Sequence, residues 1–400
     1  MTNDKSKIMV VLMLLSFFVT ACGGSQVVEK VVTVEVEKVV TVEVEKVVTV
    51  EIEGGEDSSA EPTPVPVQES YAERVGAPAQ TGPTTLELVR EREVLRCGGN
   101  ANVPGFGYLD PATYEFVGFD IDFCRAIAAA VLGDAEAIEV RPVTSYERFS
   151  VLQAGEVDIL IRNTTWTFSR DSSLGFNFGP TTFYDGQGLM ARKDSGISRL
   201  ADLEGRTVCV KENTTSETNL ADIMAFLEVE YAPLPLQDDS SVLIAYDDGR
   251  CDAFTSDKSS LVSQQILLSH PEDHLILAET MSKEPLGPVV RHGDDQWFDI
   301  VKWVVFGTFE AEELGITSEN VAEMAATSQN PLVRNLLGVD GELGSTLDLE
   351  DDFMVTVIEQ VGNYGEIYNR HLGPDTVFNL PRGLNEQWLD GGLIYSPPFR

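Results

Sequence analysis

The stretch Val157-Asp-Ile-Leu-Ile-Arg-Asn-Thr-Thr-Trp-Thr-Phe-Ser-Arg170 runs from an apolar segment into hydroxyls and a guanidinium. Val157–Ile161 reads as a buried strand, being short, apolar and rich in branched side chains. Asn163, Thr165 and Arg170 then fall in the loop that follows it. Further along, Gly249-Arg-Cys-Asp-Ala-Phe-Thr-Ser-Asp257 ends a second strand pattern on a carboxylate. An α-amino acid carries a carboxylate and an ammonium on one carbon. A planar guanidinium fork suits the first and a carboxylate the second. Arg170 and Asp257 can supply these from opposite walls of a cleft.

Outward from this stretch the chain alternates between strand and helix patterns. Val94–Gly98, Ile138–Arg141, Gly188–Ala191, Thr207–Lys211, Asp252–Thr255 and Leu275–Glu279 read as strands. Asp120–Leu132 reads as an amphipathic helix with Ile121, Cys124, Ile127, Ala128 and Val131 on one face. Tyr146–Ala154, Ser216–Leu227 and Ser240–Tyr246 are further helices. Residues 295–312 form a strongly apolar helix through Trp297, Ile300, Val301, Val304 and Val305, and Met354–Arg370 another. The last stretch, from Gly383 to Arg400, reads as loop with buried aromatics. The alternation predicts an α/β fold, with parallel sheets and helices on both faces.

The chain has 400 residues, 43% of them hydrophobic, enough for about two domains. Its 65 acidic and 28 basic residues leave a net charge of −37. That excludes a nucleic-acid binder, which needs a basic footprint, and docking on anionic lipid by a basic patch. It leaves open a small zwitterionic ligand, whose recognition is local.

Lys5 and Lys7 precede an apolar run from Ile8 to Val19, and Val19-Thr-Ala-Cys22 follows. The run is too short to span a bilayer and suits the core of a signal peptide. Its ending resembles the lipobox of bacterial lipoproteins, which implies residues 1–21 as a signal peptide and lipid on Cys22. An ordinary secretory signal with an incidental cysteine is the alternative. Residues 28–51 repeat Val-Glu-Lys-Val-Val-Thr-Val-Glu. That period fits neither a coiled coil nor a helix, and its alternation suits an extended chain. Residues 54–84 are rich in Gly, Pro, Ser and Glu, including Pro62-Thr-Pro-Val-Pro66, and read as a linker. Residues 22–84 are therefore expected to tether a globular body, although the repeat could instead bind cell wall or a partner chain. Export permits disulfides. Cys209 with Cys251 is a reasonable pair, both lying in strands of one segment, and Cys97 with Cys124 would follow. Four buried thiols remain the alternative. The spacings do not read as a metal site, and no cofactor is expected.

The motifs together carry a family resemblance over about residues 86–400. They are Val117-Gly-Phe-Asp-Ile-Asp122, Leu152-Gln-Ala-Gly-Glu-Val-Asp158, Thr165-Trp-Thr-Phe-Ser-Arg170, Asp202-Leu-Glu-Gly-Arg206, Thr214-Thr215 and Cys251-Asp252-Ala253. In order and spacing they resemble the extracytoplasmic solute-binding proteins of polar amino-acid ABC importers. Cys124-Arg125-Ala126, Asn163-Thr-Thr-Trp166, Tyr184-Asp-Gly-Gln-Gly188 and the Pro-Pro-Phe-Arg400 ending look like the general L-amino-acid branch. The resemblance implies a type II periplasmic-binding-protein-like fold: two α/β lobes, with parallel or mixed sheets, joined by two crossover strands. Lobe 1 would be residues 86–188 plus 285–400, and lobe 2 residues 189–284. The resemblance also implies a monomeric, lipid-anchored receptor outside the cytoplasmic membrane, handing amino acids to a permease.

Carried over, the resemblance gives Arg170 and Thr165 the ligand carboxylate, with Thr214 and Thr215 closing on it from a helix start, where free N–H groups favour anions. Thr214 can equally be a plain N-cap. Asp257 takes the ammonium, or else caps the helix after it, and Asn163 offers the ammonium an acceptor. Phe106, Tyr108 and Trp166 are candidates for an aromatic wall, although aromatics more often fill cores.

Two other function classes compete. An enzyme on the same fold, such as a dehydratase or lyase, needs a positioned acid or base beyond the clamp. His270, His274, His292 and His371 all lie outside the motifs. An amino-acid sensor or adhesion lipoprotein would use the same lobes.

Overall fold

A computed structural model of the protein describes residues 82–400. The signal segment, Cys22 and the tether before residue 82 lie outside the described residues. No helix among the described residues is long and apolar enough to cross a membrane.

The first sheet is laid down by β1 (Leu95–Gly99), followed by a short antiparallel meander of β2 (Asn102–Val103), β3 (Gly107–Leu109) and β4 (Phe116–Val117). Helix Phe119–Leu132 then returns the chain to β5 (Ile138–Pro142), parallel to β1. Helix Arg148–Gln153 leads to β6 (Ile159–Leu160), parallel to β1 on its other side. Around β6 the residues are buried continuously, from Val157 to Ile161. This is why an unbroken apolar run, not an alternating one, codes for the strand. β7 (Phe176–Phe178) forms the far edge. The Cys97–Cys124 disulfide ties β1 to the covering helix.

β8 (Phe183–Asp185) then carries the chain out of this sheet. The second sheet has the order β11-β10-β12-β9-β13: β9 (Gln187–Arg192), β10 (Thr207–Lys211), β11 (Ala232–Leu236), β12 (Ala253–Asp257) and β13 (His274–Ile276). β10 is parallel to β11 and β12, whereas β9 runs antiparallel to β12 and β13. Helices Thr215–Phe226, Asp239–Asp247 and Lys258–Gln265 connect these strands. Apolar clusters on both faces, around Leu220 and around Tyr246, make it a covered sheet. The Cys209–Cys251 disulfide joins β10 to the residues entering β12. β14 (Glu284–Leu286) returns antiparallel to β8, and β15 (Val289–Arg291) slots between β6 and β7. The paired strands β8 and β14 are thus the two crossings between the sheets.

The remaining chain packs on the first sheet. Helix Asp295–Glu313 buries Trp297, whose indole N–H donates to the Asp158 carbonyl at 3.1 Å. Deleting such a side chain costs about 3–5 kcal/mol. The single helix expected over Met354–Arg370 is two, Phe353–Gln360 and Tyr364–His371. The break falls at Gly362, whose φ of 99° ends the first helix, and Asn363 opens the second with a capping box to Glu366. The expected strand to Glu279 stops at Ile276, and the helix expected from Tyr146 begins at Arg148. Of the C-terminal aromatics Phe399 is buried, while Trp388 and Tyr395 pack edge to face on the surface.

Candidate functional site

The loops after β6 and β10 face one another beside the crossing strands, the position where open α/β sheets collect ligands. Each begins with an asparagine in the left-handed region, Asn163 at φ 45° and Asn213 at φ 59°, a conformation asparagine tolerates better than most residues. Asn163 is held there by Asp120, whose carboxylate accepts its backbone N–H at 2.9 Å. Burial pushes the Asp120 carboxyl up to about 7, against the Asn163 hydrogen bond and the Arg162 charge.

Glu284, on the returning crossing strand, lies between these loops. Its carboxylate accepts hydrogen bonds from Thr165 at 2.6 Å, Thr215 at 2.8 Å, Asn219 at 2.8 Å and the Ser282 hydroxyl. The two threonine hydroxyls, one from each lobe, lie 3.3 Å apart. This buried acid is satisfied by protein alone.

The basic wall is not. Arg170 sits in a π-helical turn, Ser169–Ser173, closed by Leu174 N–H on the Ser169 carbonyl. The wide turn folds Arg170 inward to 8% exposure while Phe168 stays out in solvent. Arg170 donates to the Thr165 carbonyl at 2.7 Å and has no carboxylate within ion-pair distance among the described residues. Burial pulls its guanidinium down to about 10, opposed by Glu284 and Asp257, so it keeps its charge at neutral pH. Arg148 is buried beside it, donating only a long 3.4 Å bond to the Asn213 carbonyl, and its Nε finds no partner among the described residues. Both guanidiniums lie over the Phe149 ring, at 4.9 and 5.4 Å. Two adjacent buried cations with unused donors can together hold an anion.

Asp257 faces them from the end of β12, 8% exposed. It occupies the N-cap position of helix Lys258–Gln265, yet its side chain makes no capping bond. Burial, with Asp185 and Glu284 beside it, holds its carboxyl well above the usual range, against Lys211 and Arg148. Asn163 has both amide atoms buried without a partner among the described residues. These groups share one narrow cleft, with about 20 Å³ open to the centre of a water-sized sphere. That is room for a water; a larger guest requires the lobes to part.

Asn163, Thr165, Arg170, Thr214, Thr215 and Asp257 therefore all line one cleft. Thr214 also serves its own helix. Its hydroxyl accepts from Glu217 N–H at 3.3 Å and donates to the Lys211 carbonyl at 2.6 Å, so it is an N-cap. The aromatic candidates lie elsewhere. Phe106 is fully buried in the first lobe's core, edge-on to Phe119 and Phe183. Tyr108 sits on β3 of the meander. Trp166 is 43% exposed, stacked on Phe178 and donating to Asp171 at 2.6 Å. Val103 supplies the apolar contact instead. Motif spacing does not reach Arg148, Arg162, Lys211, Asp239 and Glu284. Arg162, directly after the apolar run of β6, carries a usable signal; Glu284, beside a proline in a short crossing strand, carries none.

Two sheet-based lobes, crossed twice by the chain and closing on a cleft of unsatisfied buried charge, define a two-lobed receptor of the type II periplasmic-binding-protein-like fold. The chain belongs to the bacterial extracellular solute-binding proteins, family 3, matched over residues 95–319. It is 47% identical to the general L-amino acid-binding periplasmic protein AapJ of Rhizobium johnstonii, across 82% of this chain and 95% of that one. It is 46% identical to the glutamate/glutamine/aspartate/asparagine-binding protein BztA of Rhodobacter capsulatus, across 79% and 94%. A periplasmic binding protein of an ABC transporter from Brucella ovis, solved with glutathione bound, is 44% identical with a TM-score of 0.77, covering 80% of this chain and all of that one.

Proposed function

We propose that this protein captures L-amino acids between its lobes and delivers them to an ABC permease, without catalysing a reaction on them. The observation that carries the reading is the opposition of Arg170, a buried cation without a carboxylate partner, to Asp257, a buried acid without a cap. The α-carboxylate docks on Arg170 and the α-ammonium on Asp257, with Asn163 completing the ammonium's hydrogen bonds. The relatives' names add amino acids of both acidic and amide type, and glutathione, all of which carry an α-amino-acid head group. A clamp on that head group suits a broad range. Arg148, beside Arg170, is available to a second carboxylate, as in glutamate or aspartate.

The N-terminal organisation completes the reading. Residues 1–21 direct export, Cys22 carries lipid, and residues 22–84 tether lobes 86–188 plus 285–400 and 189–284 outside the cytoplasmic membrane, as a monomer. The test is a calorimetric screen of the common L-amino acids against the protein and its Arg170→Ala variant. Binding by the parent and its loss in the variant are expected. Binding of deaminated and amidated analogues as tight as that of the parent amino acid would overturn the clamp.

A further inference from the structure

One buried carboxylate beside the cleft is met by side chains of both lobes. Asp239 begins helix Asp239–Asp247 in the second lobe and is 5% exposed. From its own lobe it is met by the Lys211 ammonium and, at 3.5 Å, by Gln264. From the first lobe, Arg162 lies 3.6 Å away and the Asn100 amide donates at 3.3 Å. Burial pushes its carboxyl up, but Lys211, Arg162 and the Lys211 and Asn100 hydrogen bonds outweigh this and hold it below the usual range. Asp239 is Arg162's only ion-pair partner among the described residues. Ser145 reinforces the crossing nearby, donating to the Glu212 and Gln237 carbonyls at 3.1 and 3.4 Å.

We propose that Asp239 is a closure latch: a positioning residue that bonds the second lobe to Arg162 and Asn100 of the first, and so sets what fraction of the free protein is closed. The inference rests on the reading of the cleft as the ligand site. A ligand that binds the closed form pays for whatever fraction of the protein is open, so its apparent dissociation constant is the intrinsic one divided by the closed fraction. Asn100, Arg162 and Lys211 also line the cleft, whereas Asp239 does not, so a change at Asp239 is the one expected to act through the closed fraction and to shift every ligand alike. A residue touching the ligand shifts different ligands differently.

The test uses Asp239→Asn, Arg162→Gln and the double variant of the full chain. Affinities for glutamate, glutamine and alanine are measured by calorimetry, and the separation of the lobes in the free protein by small-angle scattering. For Asp239→Asn the latch predicts a loss of roughly tenfold or more, equal for all three ligands, and for every variant a more extended free protein. It also predicts a double variant no worse than Asp239→Asn alone. Altered ratios among the ligands in Asp239→Asn, a double variant worse than Asp239→Asn, or unchanged affinity and scattering would each overturn it. Asn100→Ala removes the first lobe's hydrogen bond to Asp239 and leaves Lys211 paired, although it also deletes the Oδ1 that accepts from Ala101 and Asn102 N–H. It keeps the test open should Asp239→Asn fail to fold, with a more extended free protein expected in scattering. If the parent protein binds no amino acid, the functional reading fails instead; the scattering comparison needs no ligand and still judges the latch.

Discussion

Both lobes bring an Asn-Thr-Thr segment to the cleft, residues 163–165 from the first and 213–215 from the second. In each the asparagine is left-handed and the last threonine donates to the same oxygen of Glu284. Each asparagine N–H also meets a carboxylate at 2.9 Å, Asp120 for Asn163 and Glu217 for Asn213. There the likeness ends. In the second lobe Thr214 caps the helix. In the first lobe the Asn163 side-chain amide has no partner among the described residues, and Arg170 follows with donors to spare. Buried polar groups are nearly always satisfied, so those that are not mark where a guest belongs. Identical residues in matching loops thus sit differently: one set is satisfied within the protein, and the other keeps unused polar groups facing the cleft.

The contrast is broken most directly at Arg170. Arg170→Ala should weaken amino-acid binding by about 2–5 kcal/mol, the range for truncating one partner of a buried charge pair. Calorimetry with the best ligand of the screen measures it. An unchanged affinity would mean that the unsatisfied side is not the ligand's side.

Asp257 should come next, and its effect carries a pH signature. Burial favours the protonated Asp257 carboxyl in the free closed protein, and an arriving ammonium favours the ionised form. Binding should therefore release protons over the pH range in which the free carboxyl titrates, and affinity should rise with pH across that range. Calorimetry in two buffers of different ionisation enthalpy reads the proton directly. The stability sign is opposite. A carboxyl whose folded pKa lies above its unfolded value of about 3.9 costs stability as pH rises between the two. Asp257→Asn should thus melt higher than the parent at neutral pH without ligand, with the gap closing in acid, while losing amino-acid affinity. A variant that melts lower at neutral pH would show that Asp257 is a structural acid.

Thr214→Ala probes the satisfied side. Loss of an N-cap costs about 1 kcal/mol of stability, visible as a lower melting temperature. Thr214 lines the cleft, but its hydroxyl is already engaged by the Lys211 carbonyl and Glu217 N–H, so ligand affinity should hold within about 0.5 kcal/mol.

The fold is legible in the sequence because strand and helix periods differ and because β6 is buried on both faces. For Thr207–Lys211 the pattern and the strand agree to the residue. The break at Gly362 is invisible to the apolar spacing, which continues across it; its marks are a glycine in the left-handed region and the Asn363 capping box with Glu366. The candidate site is legible as far as motif spacing reaches, to Arg170 and Asp257, which the fold brings into one cleft. Its electrostatic surroundings are not, because Arg148, Asp239 and Glu284 come from distant segments that meet only when both sheets are built. Thr165 and Thr215 read as ligand donors through the family resemblance; Glu284, which takes both hydroxyls, cannot be foreseen from either.

The aromatic residues give the smallest effect and the sharpest check on that limit. Trp166 lies within the motif that ends at Arg170, and aromatic residues beside a binding motif invite a role in packing the ligand's carbon chain. Here its ring stacks on Phe178 at 6.1 Å between centroids, and its N–H is taken by Asp171. Its contacts thus brace the outer side of the loop that carries Arg170, and no edge of the ring lines the cleft. Trp166→Phe keeps the stack and deletes one partly exposed hydrogen bond. Affinity should change by less than about 0.5 kcal/mol, with a slight fall in melting temperature. A larger loss confined to long-chain amino acids would place the ring on the ligand, and would mean that this loop rearranges when the cleft is filled.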